Sequence, residues 1–318
     1  MKNIYSNIFA YNKKSIDKVI ANLNDEKIVG LPTETVYGLA GSAYSKKSVK
    51  KIYKLKKRPK ANPLIVHYFN FKNAIDDILP NKNFFILYKK FCPGPITFIL
   101  KKRLHSKIQP IVSANSNFIA IRFPKHKVIR NILKKINFPL AMPSANISSN
   151  ISPVCANDVA DEFKSDLRLI VNGGKSKIGI ESTVIDLTGK PKILRPGIIS
   201  VETINRTLKT KVSILGKSSK IKSPGMLKRH YSPGIPIFLN NKRPMNKKYA
   251  FITFGKKFKK SINHFNLSQN SDLQEAASNL YRTLRKIKKL KLKRIYVVKI
   301  PNYGPGIAIN DRLKRAAK

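Results

Sequence analysis

Short apolar runs, each stopped by Pro, Gly or a polar cluster, alternate with segments whose apolar residues recur at helical spacing. That alternation confines the chain to sheets covered by helices. Ile16, Val19, Ile20 and Leu23 fall at i, i+3, i+4 and i+7, one face of a helix. Residues 28–31 then read as a buried strand stopped by Pro32, and Val49, Ile52, Tyr53 and Lys56 as a second helix ended by Pro59. Residues 64–67 read as a strand and 84–91 as a helix closed by Cys92-Pro93-Gly94-Pro95. Further strands are expected at 97–100, 118–122, 140–142, 169–171, 182–187 and 192–194. The pattern predicts an α/β fold over residues 1–215, of the α+β kind with a mixed, twisted sheet.

Residues 216–234 have few apolar anchors and several breakers, and read as a linker. Beyond it, 235–239, 249–253 and 294–299 look like strands. Leu273, Ala276, Ala277, Leu280, Leu284 and Ile287 form a helical stripe, and 307–317 a second helix. Residues 235–318 are therefore expected to form a second, smaller α/β domain.

Lys and Arg number 64 against 16 Asp and Glu, a formal charge of +48. Two readings stay open: a surface that attracts polyanions, or compositional drift in a chain rich everywhere in Lys, Asn and Ile. One local fact is sharper. Between Asp77 and Asp158 there is no acidic residue, so chemistry placed there must use cations, hydroxyls, amides and backbone. The 42% of apolar residues supports a real core. Cys92 and Cys155 cannot build a disulfide framework or a four-cysteine zinc site. No apolar run approaches the ~20 residues of a membrane span, and the first residues do not lead into a secretory leader. The expectation is a cytoplasmic protein with no membrane partner.

The common nucleotide signatures are missing. Gly174-Lys175-Ser176 and Gly216-Lys217-Ser218 match only the end of a phosphate-cradling loop, because Leu169 and Lys211 stand where its first Gly belongs. Gly304 and Gly306 are followed by Ile309, not by a third Gly. The histidines show no metal-ligand spacing, so no protein-held metal is expected; Mg²⁺ carried in with a nucleotide is left open.

What remains is a series of polar islands between apolar strands. Thr33-Glu34-Thr35 follows a strand and offers hydroxyls at a strand-to-helix turn, or simply a helix cap. Lys56-Lys57-Arg58-Pro59-Lys60-Ala61-Asn62-Pro63 is a proline-pinned cationic loop suited to phosphate. Arg122 alternates out of an apolar strand and needs either a distant carboxylate or an anionic ligand. Residues 142–153 are a hydroxyl-and-amide loop, and Glu181-Ser182-Thr183 and Arg195-Pro196-Gly197 complete the series.

Taken in order, these islands resemble the threonylcarbamoyl-adenylate synthase family, the YrdC-type enzymes of tRNA modification. The resemblance rests on Pro32 to Leu39, the Lys-x-Arg of Lys56 and Arg58, Asn62 to His67, Pro93 to Thr97 and Arg122-Phe123-Pro124. It continues through the Ser-x-Asn of Ser144 and Asn146, Glu181 to Val184 and Leu194 to Gly197. Ser223-Pro224-Gly225-Met226, Arg229-His230-Tyr231-Ser232-Pro233 and Asn310-Asp311-Arg312 look like the linker and extra domain of the longer members. That domain is Rossmann-like in the family.

The resemblance implies a nucleotidyltransferase that joins L-threonine, bicarbonate or CO₂ and ATP into threonylcarbamoyl-adenylate, releasing pyrophosphate. The product serves tRNA next to the anticodon, and tRNA or the downstream threonylcarbamoyl transferase is a candidate partner. Lys56, Arg58, Ser144 and Asn146 are similar to the family's catalytic tetrad. Arg58, Asn62, Ser144, Ser152, Arg195 and Tyr231 match ATP-binding positions. Thr35, His67, Arg122, Met142 and Ser182 match positions around threonine, with Arg122 forking its carboxylate. Tyr231 would make residues 216–234 a lid over the nucleotide. Phe118 departs from the family, which often has Thr there. The rivals are a non-catalytic RNA-binding module and a hydrogenase-maturation carbamoyltransferase, the latter needing cysteine-rich zinc modules that two cysteines cannot supply.

Overall fold

The apolar alternation resolves into two sheets in the computed structural model, which describes residues 5–214, 230–241, 248–258 and 261–317. The first sheet takes β1 (Ile8–Ala10), β2 (Val29–Leu31), β3 (Gly38–Ser42), β4 (Ile65–His67), β5 (Ile78–Leu79) and β6 (Ile96–Lys102). It continues with β7 (Phe118–Arg122), β8 (Leu140–Ala141), β9 (Ile170–Asn172), β10 (Thr183–Asp186), β11 (Lys192–Arg195) and β12 (Ser213–Ile214). Their spatial order is β1-β9-β2-β3-β8-β4-β7-β6-β10-β11-β12, with β5 pairing with β6. Pairing is mixed: β4–β7 and β6–β10 are parallel, β2–β3 and β6–β7 antiparallel.

Helices α1 (Lys13–Asn24), α2 (Lys46–Leu55), α3 (Lys82–Phe91), α4 (Lys127–Lys135), α5 (Ala156–Phe163) and α6 (Val201–Leu208) accompany this sheet. The second sheet is wholly parallel, in the order β13 (Ile237–Leu239), β16 (Ile295–Val297), β14 (Ala250–Thr253), β15 (His264–Asn266). It packs with α7 (Leu273–Lys289) and α8 (Pro305–Ala316).

The two-residue alternation of a strand decides which side chains reach the site. In the central strands Val66, Phe98, Leu100, Ile119 and Ile121 enter the main core. Ile65, Ile99, Ala120 and Val184 form a smaller cluster on the opposite face. Two residues further along that face, the register sets His67 beside Arg122, Arg122 beside Thr97, and Thr97 beside Val184. One row across four strands thus carries an imidazole, a guanidinium and a hydroxyl beside the apolar cluster of that face.

The chain after Leu31 differs from expectation. It runs as a loop into β3, which pairs antiparallel with β2, and not into a helix. The sequence Gly38-Leu39-Ala40-Gly41-Ser42 carries no β-branched signal, and all five residues are buried between neighbouring strands. The second helix also ends at Leu55, with Lys56 as its C-cap, before Pro59 is reached. Residues 216–229 of the expected linker lie outside the described residues.

One apolar cluster spans the two sheets' territories: Val36, Ile151, Val154 and Ile180 pack with Tyr231, Leu273, Ala277, Leu280 and Tyr281. At this seam Gly179 takes φ +75°, and a Cβ there would lie 2.6 Å from both the Cα and the carbonyl oxygen of Ser278 in α7. Gly179→Ala combines left-handed strain with overpacking against backbone. It should lower Tm by about 4 °C or more, read by scanning calorimetry. An unchanged Tm would contradict close packing of α7 on this turn.

Candidate active site

The row on the sheet face opens into a cleft. Its walls include Thr33, Thr35, Val36, Gly38, Arg58, Ile65, His67, Arg122, Met142, Pro143, Ser144, Glu181, Ser182, Arg195, His230 and Tyr231. Nine residues singled out in the sequence therefore share one cavity: Thr35, Arg58, His67, Arg122, Met142, Ser144, Ser182, Arg195 and Tyr231.

The remaining four, Lys56, Asn62, Asn146 and Ser152, are buried immediately behind these walls, each bonded to a loop that shapes the cleft. Ser45 caps α2 by accepting from Ser48 N, and the helix's apolar face anchors it on the core. That delivers Lys56 at the C-cap and Lys57 at φ 49°, turning the chain back toward the cleft. The Lys56 ammonium donates to the carbonyls of both Ser144 and Asn146. Ser144 Oγ donates to Asn146 Oδ1 at 2.6 Å, and Asn146 Nδ2 to the carbonyls of Ile147 and Asn150. Lys56 and Asn146 thereby fix the loop that presents Ser144. Arg58 is clamped through Nε to the Asn62 carbonyl at 3.0 Å and through Nη2 to Asn62 Oδ1 at 2.6 Å. Ser152 Oγ donates to Glu181 Oε1 at 2.6 Å.

Arg122 has a carboxylate partner that lies far away in sequence. Its Nη2 donates to Glu34 Oε1 at 2.7 Å and its Nη1 to Thr35 Oγ1 at 2.8 Å, both buried. Nε points to the Gly94 carbonyl at 3.4 Å. These contacts use three of the five guanidinium donors and leave two. Glu34 Oε2 in turn accepts from the backbone N–H of Lys125 and His126, so this acid fixes the end of β7. Arg195 sends Nε and Nη2 to the Ser182 carbonyl and Nη2 to Ser182 Oγ, which shares a 2.7 Å hydrogen bond with Thr97.

The electrostatics favour anions. Burial and the neighbouring Arg58 charge hold Lys56 well below the lysine range, and burial lowers Arg58 to about 10. His67 is driven well down by burial and by Arg122, and His230 to about 3 chiefly by burial; both are neutral near pH 7. Burial raises Glu181, but Arg312 and Arg195 outweigh it and bring the carboxyl to about 2. The cleft wall therefore combines three guanidinium groups with one carboxylate that already has partners. Asn62 Nδ2, His67 Nδ1 and Tyr231 Oη are buried polar atoms with no hydrogen-bond partner among the described residues, which suits a polar ligand.

Sequence reasoning missed Glu34 and Glu181 as braces, although both sit inside the quoted islands. It also missed Tyr281 and Arg312, whose bonds to Glu181 bridge 100 and 131 residues of sequence. The Asn310-Asp311-Arg312 triplet was the available signal. Phe118 lies against the cluster of Ile65, Ile99, Ala120, Val184 and Leu194, on the cleft face of the sheet. Among the described residues no group of His, Cys, Asp and Glu is arranged to hold a metal, and no helix is long and apolar enough to cross a membrane.

A family model described as Sua5_yciO_yrdC, telomere recombination, matches residues 21–197, and one described as threonylcarbamoyl-AMP synthase, C-terminal domain, matches 199–318. The threonylcarbamoyl-AMP synthase of Pyrococcus abyssi is 32% identical over 93% of this chain and 92% of its own length. That of Bacillus subtilis is 32% identical over 96% of this chain and 94% of its own length. The crystal structure of P. abyssi Sua5 complexed with L-threonine superposes with a TM-score of 0.90 at 29% identity, covering 98% of this chain and 97% of that one. This chain belongs to the threonylcarbamoyl-AMP synthase family.

Glu181 offers a pH test. Its folded pKa of about 2 lies below the ordinary 4.5, so the stability it contributes is complete above about pH 4.5 and is lost as pH falls through about 2. The stability gap between the parent and Glu181→Gln, measured by urea unfolding, should be constant above about pH 4.5 and narrow below it. A gap that stays constant down to about pH 2 would contradict the buried ion pair.

Proposed function

We propose that this chain is a nucleotidyltransferase that forms threonylcarbamoyl-AMP and pyrophosphate from L-threonine, bicarbonate or CO₂, and ATP, for modification of tRNA next to the anticodon. The observation that carries the reading is the convergence of Arg58, Arg122 and Arg195 with the hydroxyls of Thr35, Ser144 and Ser182 on one cleft. The threonine-bound relative of the same fold supports the amino-acid half.

The chemistry asks for such a site. The neutral threonine amine adds to CO₂ with loss of a proton, or to bicarbonate with loss of water, and gives a carbamate. A carbamate oxygen then bonds to the α-phosphorus of ATP while the bond to pyrophosphate breaks. An anion must approach a polyphosphate, so cations and fixed dipoles count for more than a strong base. Arg58 and Arg195 would face the phosphates, with Asn62 and Ser152 behind them, Ser144 beside them and Tyr231 against the nucleotide. Thr35, His67, Arg122, Ser182 and the backbone at Met142 would surround threonine. The two donors that Glu34 and Thr35 leave to Arg122 suit the carboxylate. Neutral His67 adds no charge that would compete. Lys56 and Asn146 act through the Ser144 loop. Mg²⁺ would arrive on the ATP phosphates and neutralise part of their charge, because the one carboxylate in the wall is committed to Arg312, Tyr281 and Ser152.

Incubation with Mg-ATP, bicarbonate and threonine should release pyrophosphate only when threonine is present. Release indifferent to threonine would contradict the reading. Arg58→Ala should lower turnover at least ~10²-fold, the scale of removing one transition-state donor. A near-parental rate in that variant would take Arg58 out of the chemistry.

A further inference from the structure

The second domain reaches the cleft wall through two side chains that do not line the cleft themselves. Arg312 of α8 is fully buried and donates through Nε to Glu181 Oε2 at 3.1 Å. Tyr281 of α7 donates to the same oxygen at 2.8 Å. Both also grip Tyr231. The Arg312 guanidinium lies 5.4 Å from the Tyr231 ring centroid, a cation–π contact strengthened by burial. The Tyr281 ring stacks on Tyr231 at 5.5 Å and 26°. The His230 ring also meets Tyr231 edge-on at 4.0 Å.

Tyr231 needs such a grip. It takes φ +65°, in the left-handed region that costs a non-glycine residue free energy. Among the described residues its hydroxyl finds no hydrogen-bond partner, so the phenol is not held there by its own polar end. What fixes the ring is aromatic and cationic contact from α7 and α8, themselves tied to Glu181, the residue before Ser182 of the cleft wall.

We propose that Arg312 and Tyr281 are positioning residues of the second domain that hold the Tyr231 ring in the cleft wall and so set the affinity for the nucleotide. This rests on the assignment of Tyr231 to the nucleotide made above. It gives the second domain a role in the site without any catalytic group of its own.

The test is a double-variant cycle read by calorimetric titration of a non-hydrolysable ATP analogue, using the full chain. Arg312→Gln should weaken the analogue about 10-fold in the parent background and less than about 2-fold in the Tyr231→Ala background, because groups acting through one another are non-additive. The threonine KM should stay within about 2-fold throughout. Circular dichroism checks folding, and Tyr281→Leu, which removes the stacked ring, serves the same cycle if Arg312→Gln does not fold. Equal losses in both backgrounds, no loss in either, or a parallel rise in the threonine KM would overturn the proposal. Its failure is separable from that of the reaction: threonine-dependent pyrophosphate release without coupling removes only the positioning role. Coupling without such release removes only the reaction.

Discussion

A single buried carboxylate organises this protein. Glu181 lies at the cleft, accepts hydrogen bonds from Ser152, Tyr281 and Arg312, and so joins the cleft wall to α7 and α8 of the second domain. An ionised acid without partners in such a place costs several kcal/mol, and the two guanidiniums that bring it to about 2 are what make its burial tolerable. The same pairing spends its negative charge. A cleft meant for anions can then carry a carboxylate in its wall without repelling them.

A second buried pair repeats the logic on the other side. Glu34 holds Arg122 at 2.7 Å and takes two backbone N–H groups at the start of the next segment. In both pairs the acid comes from a loop and the arginine from a strand or helix, so the pairs fix loops against regular elements. The seam between domains follows the same rule. Arg285 of α7 faces Asp158 and Glu162 of α5, and Lys289 faces Asp161. A chain short of acids thus places several of them where they neutralise cations at the joint. The exposed Lys289 contributes little to that joint compared with Arg312.

Much of this was legible in the sequence, and the exceptions have physical causes. Apolar runs bounded by Pro and Gly locate the central strands, because β4, β6, β7 and β10 are rich in β-branched residues. β3 escapes because its Gly, Ala and Ser residues signal nothing locally; it is a strand because strands flank it on both sides. Helices α4 and α6 were not read, although the stripe Val128, Ile129, Ile132, Leu133 and the Ser200 cap were there to signal them. The ordered islands pointed to nine residues that share the cleft. No local pattern could show that Lys56 and Asn146 brace its wall from behind, that Arg122 already holds Glu34, or that Arg312 meets Glu181 across 131 residues. Those facts depend on tertiary closure alone.

The account turns on one cleft being the meeting place of an amino acid and a triphosphate. A crystal structure with threonine and a non-hydrolysable ATP analogue bound together examines that claim most directly. The account predicts the triphosphate against Arg58 and Arg195, the adenosine end beside Tyr231, and the threonine carboxylate at Arg122 with its amine turned toward the α-phosphorus. Nucleotide bound on another surface, or threonine separated from it by protein, would contradict it.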